Sequence, residues 1–422
     1  MLQVPAAADP LPRTSPEKVG MSSERLERIT TKIQEYVDTE KFPGVLTMVN
    51  RGGKIVHVAV AGNRGLNDNR RLRTDDLFRI YSMTKPITAV AAMQLYEQGK
   101  FQLSDPVSKF VPELKDLMVM TEDGELEPAT HETTMHELLT HTSGFSYGFL
   151  SDTDPVDKLY FEADLWSAKD LTHFAEKLAK LPLQYQPGTK WHYSVAVDVT
   201  GLVVERISGM PFDEYLEDNI FKPLDMDDTF FQVPANKLGR FLPNHYYNTE
   251  NEEVRPAEEQ ASLLGRSEDT AMVNYEKVTL YSGGGGLVST AMDYMRFAEM
   301  LRNGGSLDGA RILGPKTIKF MATNHLPAVL AGKAQDDEQL RLIGRGFGFG
   351  LGFGVVTDAP SLQALASNGA FSWGGAAGTI FWVDPVEDLV VVGMIQLMMS
   401  PWPFRQDLRA LTYQALTESY GN

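Results

Sequence analysis

The stretch Ser82-Met83-Thr84-Lys85-Pro86-Ile87 carries a hydroxyl and an amine three residues apart, at the threshold of a helical pattern. Residues i and i+3 share a helix face, so the amine of Lys85 stands beside the hydroxyl of Ser82. A serine is a weak nucleophile until a neighbour takes or destabilises its proton. The spacing therefore reads as serine acyl transfer without a histidine. Residues 77–80 before it are mostly apolar, and Ile87, Val90, Ala91, Met93 and Leu95 after it look like a buried helix. Pro86 fits only a helix's first turn. That puts Ser82 at the helix N-terminus, where the dipole and free N–H groups favour negative charge. The plainer alternative makes Ser82 a cap and Lys85 a solvated side chain.

Two later segments give the pair something to work with. In Pro187-Gly188-Thr189-Lys190-Trp191-His192-Tyr193-Ser194, a Pro-Gly turn leads into an extended-looking segment ending at Tyr193. A tyrosine acts as general base only with its pKa lowered, and moving it from about 10 to about 7 takes about 4 kcal/mol. An adjacent ammonium supplies much of that by stabilising the phenolate, and Lys85 is the candidate. In Trp373-Gly374-Gly375-Ala376, small residues beside a strand let a backbone N–H approach a reacting carbonyl. The N–H groups of Ala376 and Ser82 are thus candidates for an oxyanion hole. An ordinary core tyrosine and an ordinary glycine bend are the alternatives.

The chain has 422 residues, 43% of them hydrophobic, enough for a large core and a soft prior of two or three domains. Its net charge of -17 argues against nucleic acid and anionic membranes as partners. No apolar run is long enough to span a bilayer, and residues 1–20 lack a basic region followed by an apolar stretch, so the expected location is cytoplasmic. With no cysteine, disulfides, thiolate catalysis and Cys-ligated metals are excluded. The eight histidines form no H-E-x-x-H, so a site without metal or cofactor is expected.

Residues 22–38 read as an amphipathic helix, with Leu26, Ile29, Ile33 and Val37 at spacings of three and four and Ser22 or Ser23 as cap. Residues 45–49 and 55–60 flank Asn50-Arg51-Gly52-Gly53, a hairpin signal. A second hairpin is expected from residues 379–383 and 389–394, then a helix over about 404–420. The middle is richer in helix, at 133–139, 170–181 and 197–207, with a polar, irregular excursion over 235–275. Hairpins at both ends around a helical middle predict an α+β fold: one antiparallel sheet flanked by helices. Residues 1–105 and 280–422 build its α/β domain, and 106–279 form an inserted, mostly helical domain.

In order along residues 20–415, the chain carries Ser82-Met83-Thr84-Lys85-Pro86, Leu103-Ser104-Asp105-Pro106-Val107, Leu138-Leu139-Thr140-His141-Thr142-Ser143-Gly144, Pro187-Gly188-Thr189 with Tyr193-Ser194, Gly284-Gly285-Gly286-Leu287-Val288-Ser289-Thr290 and Trp373-Gly374-Gly375. This ordered set resembles the serine β-lactamase and penicillin-binding-protein superfamily in its class C-like branch, and within it the family VIII carboxylesterases. The resemblance implies a class C β-lactamase-like fold. It makes Ser82 the nucleophile, Lys85 its partner, and Tyr193 the base that reprotonates the leaving group. The implied substrate is a small ester, with an acyl-enzyme on Ser82.

Two departures bear on the substrate. Where β-lactamases carry Lys-Thr-Gly and Tyr-x-Asn, this chain has Trp373-Gly374-Gly375 and Tyr193-Ser194-Val195. Tryptophan and valine replace neither a charge nor an amide. Neutral short-chain esters are therefore expected to be better substrates than carboxylate-bearing β-lactams. One fewer cation near Tyr193 also predicts activity rising toward alkaline pH. A β-lactamase or D-amino peptidase, an acyltransferase on the same scaffold and a silent binding protein are the competing readings.

Other segments invite different readings. Gly144-Phe145-Ser146-Tyr147-Gly148 matches G-x-S-x-G, but that motif needs a strand before it and a helix after it, and residues 133–139 look helical. His141 and His192 read as structural, His192 pointing away from Tyr193 if the segment is a strand. The alternating glycines and phenylalanines of 346–354 read as one strand with its phenylalanines on one face, lining an acyl pocket. Tyr81, Phe145, Trp373, Gly374 and Gly375 are the candidate substrate-binding residues, with Tyr147 and Trp191 in the same aromatic set. The oligomeric state is not legible.

Overall fold

The structure, a computed structural model, describes residues 11–151, 153–257, 274–327 and 344–421. Its main sheet has eight antiparallel strands, in the order Phe347–Phe349, Gly354–Val356, Phe371–Gly374, Ile380–Asp384, Leu389–Met394, Gly44–Arg51, Lys54–Gly65 and Asp68–Arg71. The two ends of the chain meet at its centre, where Leu46 pairs with Met394 and Val49 with Val391. The first hairpin turns at Gly52 and Gly53, both at positive φ (60° and 76°), as a type I′ turn requires.

Strand side chains alternate between two cores. Trp382, Val391, Val45 and Val49 face the helices Ser23–Asp38 and Phe404–Tyr413, packing with Leu26, Ile29, Ile33 and Leu408. Phe381, Val390, Val392 and Leu46 face the opposite way, onto Tyr294, Phe297 and Ala298 of the helix Ala291–Arg302. The first helix is capped by Ser22, whose Oγ accepts from the Arg25 N–H at 3.2 Å. Its fourth buried position is Tyr36 and not Val37, and the Tyr36 hydroxyl donates to Asp407 of the helix Phe404–Tyr413 at 2.6 Å.

Behind the second core, the helix Thr84–Glu97 packs against Ala196–Ser208. Between them in sequence lie the helices Met135–Leu139, Pro155–Ala163 and Leu171–Leu178. Among the described residues no helix is long and apolar enough to cross a membrane.

Three sequence expectations change. The C-terminal helix stops at Tyr413, because the N–H groups of Thr417 and Glu418 turn back to the Gly20 carbonyl and Tyr420 stacks on Arg51 at 4.0 Å. The 346–354 run is a hairpin, not one strand: Gly350 lies so close to Met321 O that a Cβ would sit 2.1 Å from it, and Gly352 needs φ +94°. The excursion over 235–275 contains paired strands His245–Asn248 and Glu253–Pro256, while residues 258–273 lie outside the described residues.

Candidate active site

The strand Phe78–Arg79, paired with Val288–Ser289, delivers the chain to a sharp turn at Tyr81. Tyr81 has φ +43°, a left-handed value that costs a non-glycine residue about 1–3 kcal/mol unless its surroundings impose it. Asn244 Nδ2 holds its hydroxyl at 2.9 Å in a buried position. Ser82 then sits in a 3-10 turn, Tyr81–Met83, ahead of the helix that begins at Thr84. It therefore precedes the helix instead of forming its first residue, and it remains half-buried.

Lys85 is fully buried, and its ammonium has three donors. They go to Gly284 O at 2.6 Å, the Tyr147 hydroxyl at 2.8 Å and Ser82 Oγ at 3.3 Å. Its Nζ also lies 4.5 Å from the centroid of the Tyr193 ring. The phenol that Lys85 hydrogen-bonds is thus Tyr147, where the sequence pointed to Tyr193. The Tyr193 hydroxyl accepts instead from Trp373 Nε1 at 3.3 Å. Burial, then the neighbouring Tyr193 and Asp198, push the Tyr147 phenol well above the usual range, so it stays protonated.

Asp198, in the first turn of Ala196–Ser208, is the buried counter-charge. It accepts from Ser282 Oγ at 2.5 Å and Gly284 N at 3.0 Å, fixing the carbonyl that Lys85 uses. Burial raises its carboxyl, and Lys85 pulls it back. Neither Tyr147 as a lysine ligand nor Asp198 was found by sequence reasoning. The available signal for Tyr147 was the pair Gly144 and Gly148, both at positive φ (85° and 83°), which bend the segment around it.

Ser82 and Tyr193 open onto a cavity of about 490 Å³, with Lys85 behind them. Tyr81, Trp373, Gly374, Gly375 and Ala376 line it, together with Tyr147, Phe149, Trp166 and Phe347. Phe145 does not: it is buried in the main core, and Trp191 packs on Phe349 away from the cavity. Of the hairpin's phenylalanines only Phe347 reaches the cavity, while Phe353 stacks on Phe371 in the core. Among the described residues no acceptor takes the N–H of Ser82 or Ala376.

The absence of a lysine at Trp373 does not leave the cavity without a cation. Arg405, from the C-terminal helix, lines it and donates to Gly375 O at 2.6 Å and Thr379 O at 3.0 Å. Gly374 permits this approach, since a Cβ there would lie 2.7 Å from the Arg405 guanidinium carbon. Arg405 thus supplies the cavity with a cation where the lysine is missing, so alkaline activity no longer follows from a missing charge. Gly375 is tighter still, with a Cβ placed 2.4 Å from Ile80 O and 2.2 Å from Thr379 Oγ1. Gly375→Ala is expected to displace the segment carrying the Ala376 N–H, the candidate second oxyanion donor. It should lower ester kcat/KM roughly 100-fold or more, the scale of losing one oxyanion donor, as initial-rate kinetics on the folded variant will measure.

Ser146 is fully buried and outside the cavity, following the helix Met135–Leu139 and not a strand. His141 is buried at φ +56°, its Nδ1 accepting the Ser194 N–H at 3.3 Å. Residues 191–194 form no strand, yet the His192 ring does lie away from Tyr193, toward Ser146 and Tyr185. No group of three or more metal-ligating side chains occurs among the described residues.

A fold with strands from both chain ends and a serine–lysine pair under a cavity defines a class, and similarity places the chain within it. The chain belongs to the Beta-lactamase family, whose family model matches residues 29–416. It is 36% identical over 377 residues to Protein Rv1367c of Mycobacterium tuberculosis (strain ATCC 25618 / H37Rv), covering 86% of this chain and 88% of that one. It is 30% identical over 376 residues to Esterase EstB of Burkholderia gladioli, with the same coverage of 86% and 88%. Among solved structures its fold is similar to EstCE1, a hydrolase with promiscuous acyltransferase activity (TM-score 0.75, 23% identity, 94% of this chain and 99% of that one). It is also similar to Simvastatin Synthase (LovD) from Aspergillus terreus (TM-score 0.79, 24% identity, 94% and 98%).

Proposed function

We propose that this chain is a serine carboxylesterase of the family VIII type, cleaving short-chain carboxylic esters through an acyl-enzyme on Ser82. The observation that carries the reading is the fully buried Lys85 ammonium 3.3 Å from Ser82 Oγ, at the edge of a cavity where the N–H groups of Ser82 and Ala376 have no acceptor among the described residues. Ser82 Oγ bonds to the ester carbonyl carbon as its proton passes to Tyr193, the general base. Lys85 Nζ lies 4.5 Å from the Tyr193 ring centroid, and the Trp373 indole N–H donates to the Tyr193 oxygen at 3.3 Å. The carbonyl oxygen becomes an oxyanion received by the two free N–H groups. Collapse breaks the bond to the alcohol oxygen, which takes the proton back from Tyr193. Water then repeats the sequence on the acyl-enzyme.

The aromatic lining suits apolar groups, and about 490 Å³ is in the range of sites for drug-sized ligands, leaving room for an alcohol part larger than the acyl group. The relative named an esterase supports the same reading. Arg405 favours a second one, a weaker activity on carboxylate-bearing amides such as β-lactams.

Parallel kinetics on p-nitrophenyl acetate, p-nitrophenyl butyrate and a chromogenic cephalosporin test the proposal. The esters are expected to exceed the cephalosporin in kcat/KM by about two orders of magnitude, a difference of about 2.7 kcal/mol in transition-state binding. Equal or faster cephalosporin turnover would reverse the order of the two readings. Adding a primary alcohol to the ester assay measures transfer against hydrolysis.

A further inference from the structure

Ser146 of the G-x-S-x-G segment lies outside the cavity, yet it belongs to a buried polar chain. Ser146 Oγ donates to Asp157 Oδ1 in a short contact, and His192 Nε2 lies 3.2 Å from the same hydroxyl. Asp157 also accepts the Gly148 N–H at 3.0 Å. Ser146, Asp157 and His192 are all buried (0%, 1% and 1% exposed). A hydroxyl has one proton, and here it faces the carboxylate. The His192 contact therefore runs the other way, from an Nε2–H to the serine oxygen. The serine is the middle of the chain, so it is not poised as a nucleophile activated by a histidine.

Its neighbours in sequence give this chain a purpose. Ser146 precedes Tyr147 and His192 precedes Tyr193, the two phenols beside the Lys85 ammonium. The two segments are also tied by the Val195 N–H to Ser146 O at 3.3 Å and the His192 N–H to His141 O at 2.7 Å. The Tyr147 and Tyr193 rings stand 5.3 Å apart.

The geometry points to Ser146 as a positioning residue: by bridging His192 to Asp157, it sets the spacing of Tyr147 and Tyr193 around Lys85. The inference rests on the proposed acyl transfer at Ser82. Removing the hydroxyl leaves the imidazole and carboxylate facing each other across a small gap. Closing that gap draws the 191–195 segment toward Asp157 and shifts Tyr193 relative to Lys85.

The test compares Ser146→Ala, His192→Leu and His192→Gln, the last keeping an amide N–H donor near the position of Nε2. Ser146→Ala and His192→Leu are expected to lower kcat about 10- to 100-fold, the sensitivity of an oriented site to sub-ångström displacement. KM should stay within about twofold, with a shift in the pH profile of kcat/KM, while His192→Gln recovers most of the rate. A folded Ser146→Ala with unchanged kcat and pH profile overturns the inference. So does a rate loss that His192→Gln fails to recover. Should Ser146→Ala not fold, the His192 pair decides by the same criteria. Wild-type acylation of Ser82 is scored separately by mass, so its absence would refute the underlying reading and not this one alone.

Discussion

Ser82→Ala is expected to lower turnover of p-nitrophenyl butyrate by at least roughly 10⁴-fold, the scale seen when a serine hydrolase loses its nucleophile, and to leave the fold intact. Both halves follow from where the oxygen sits. Ser82 is half-buried at the cavity wall, so deleting its hydroxyl opens no sealed void. The Lys85 ammonium keeps its two shorter bonds, to Gly284 O at 2.6 Å and Tyr147 at 2.8 Å, and loses only the longest of its three, at 3.3 Å. The change in unfolding free energy should therefore stay within about 1 kcal/mol, the typical net worth of one hydrogen bond. Thermal unfolding and ester kinetics on the same preparation check the pair of outcomes. A folded variant keeping more than about a tenth of the wild-type rate, a loss under about 1.4 kcal/mol in barrier terms, would move the nucleophile elsewhere.

Lys85→Met is expected to be as damaging to the rate and, unlike Ser82→Ala, damaging to the fold. Methionine fills the volume, but Gly284 O and the Tyr147 hydroxyl lose a buried donor. Each group left unsatisfied costs about 1–3 kcal/mol. Asp198 also loses the charge that holds its already raised carboxyl down. Its folded pKa then lies further above the unfolded value of about 3.9.

The sign follows from linkage. With the folded pKa above the unfolded one, the native state binds more protons in the interval between them. The variant's stability is then greatest below the unfolded value and falls as pH rises through the folded one. Adding Asp198→Asn to Lys85→Met should remove that pH slope and restore stability without restoring activity. Lys85→Arg should not rescue the rate, since a planar guanidinium cannot reproduce three divergent donors from one point. Denaturant titrations across pH, with ester kinetics alongside, separate the two effects. Near-wild-type turnover in Lys85→Met would exclude the lysine from the chemistry.

What was legible in the sequence was what local pattern encodes. The β-rich runs at residues 45–49, 55–60 and 389–394 announced strands, and Gly52-Gly53 announced a turn only positive φ allows. Ser82 and Lys85 were visible together because one helical turn joins them. The rest depends on contacts between segments far apart in the chain. Tyr147 meets Lys85 across 62 positions, and Arg405 reaches the cavity from a helix on the other face of the sheet. No spacing rule ties such residues to their partners. Phe145 misled because nearness in sequence does not fix exposure: both rings pack in the same core, and only Tyr147 also reaches the cavity. The 346–354 run misled because alternation signals a strand only where each residue extends, and Gly350 and Gly352 bend instead.

The central claim is a covalent bond between an acyl group and Ser82 Oγ. Intact mass after brief exposure to p-nitrophenyl butyrate, quenched in acid and followed by peptide mapping, reads that bond directly. The account predicts one added butyryl group per chain, on the peptide containing Ser82, and none in Ser82→Ala. An adduct on Ser146 or another side chain, or ester turnover with no adduct in wild type at any quench time, would contradict it.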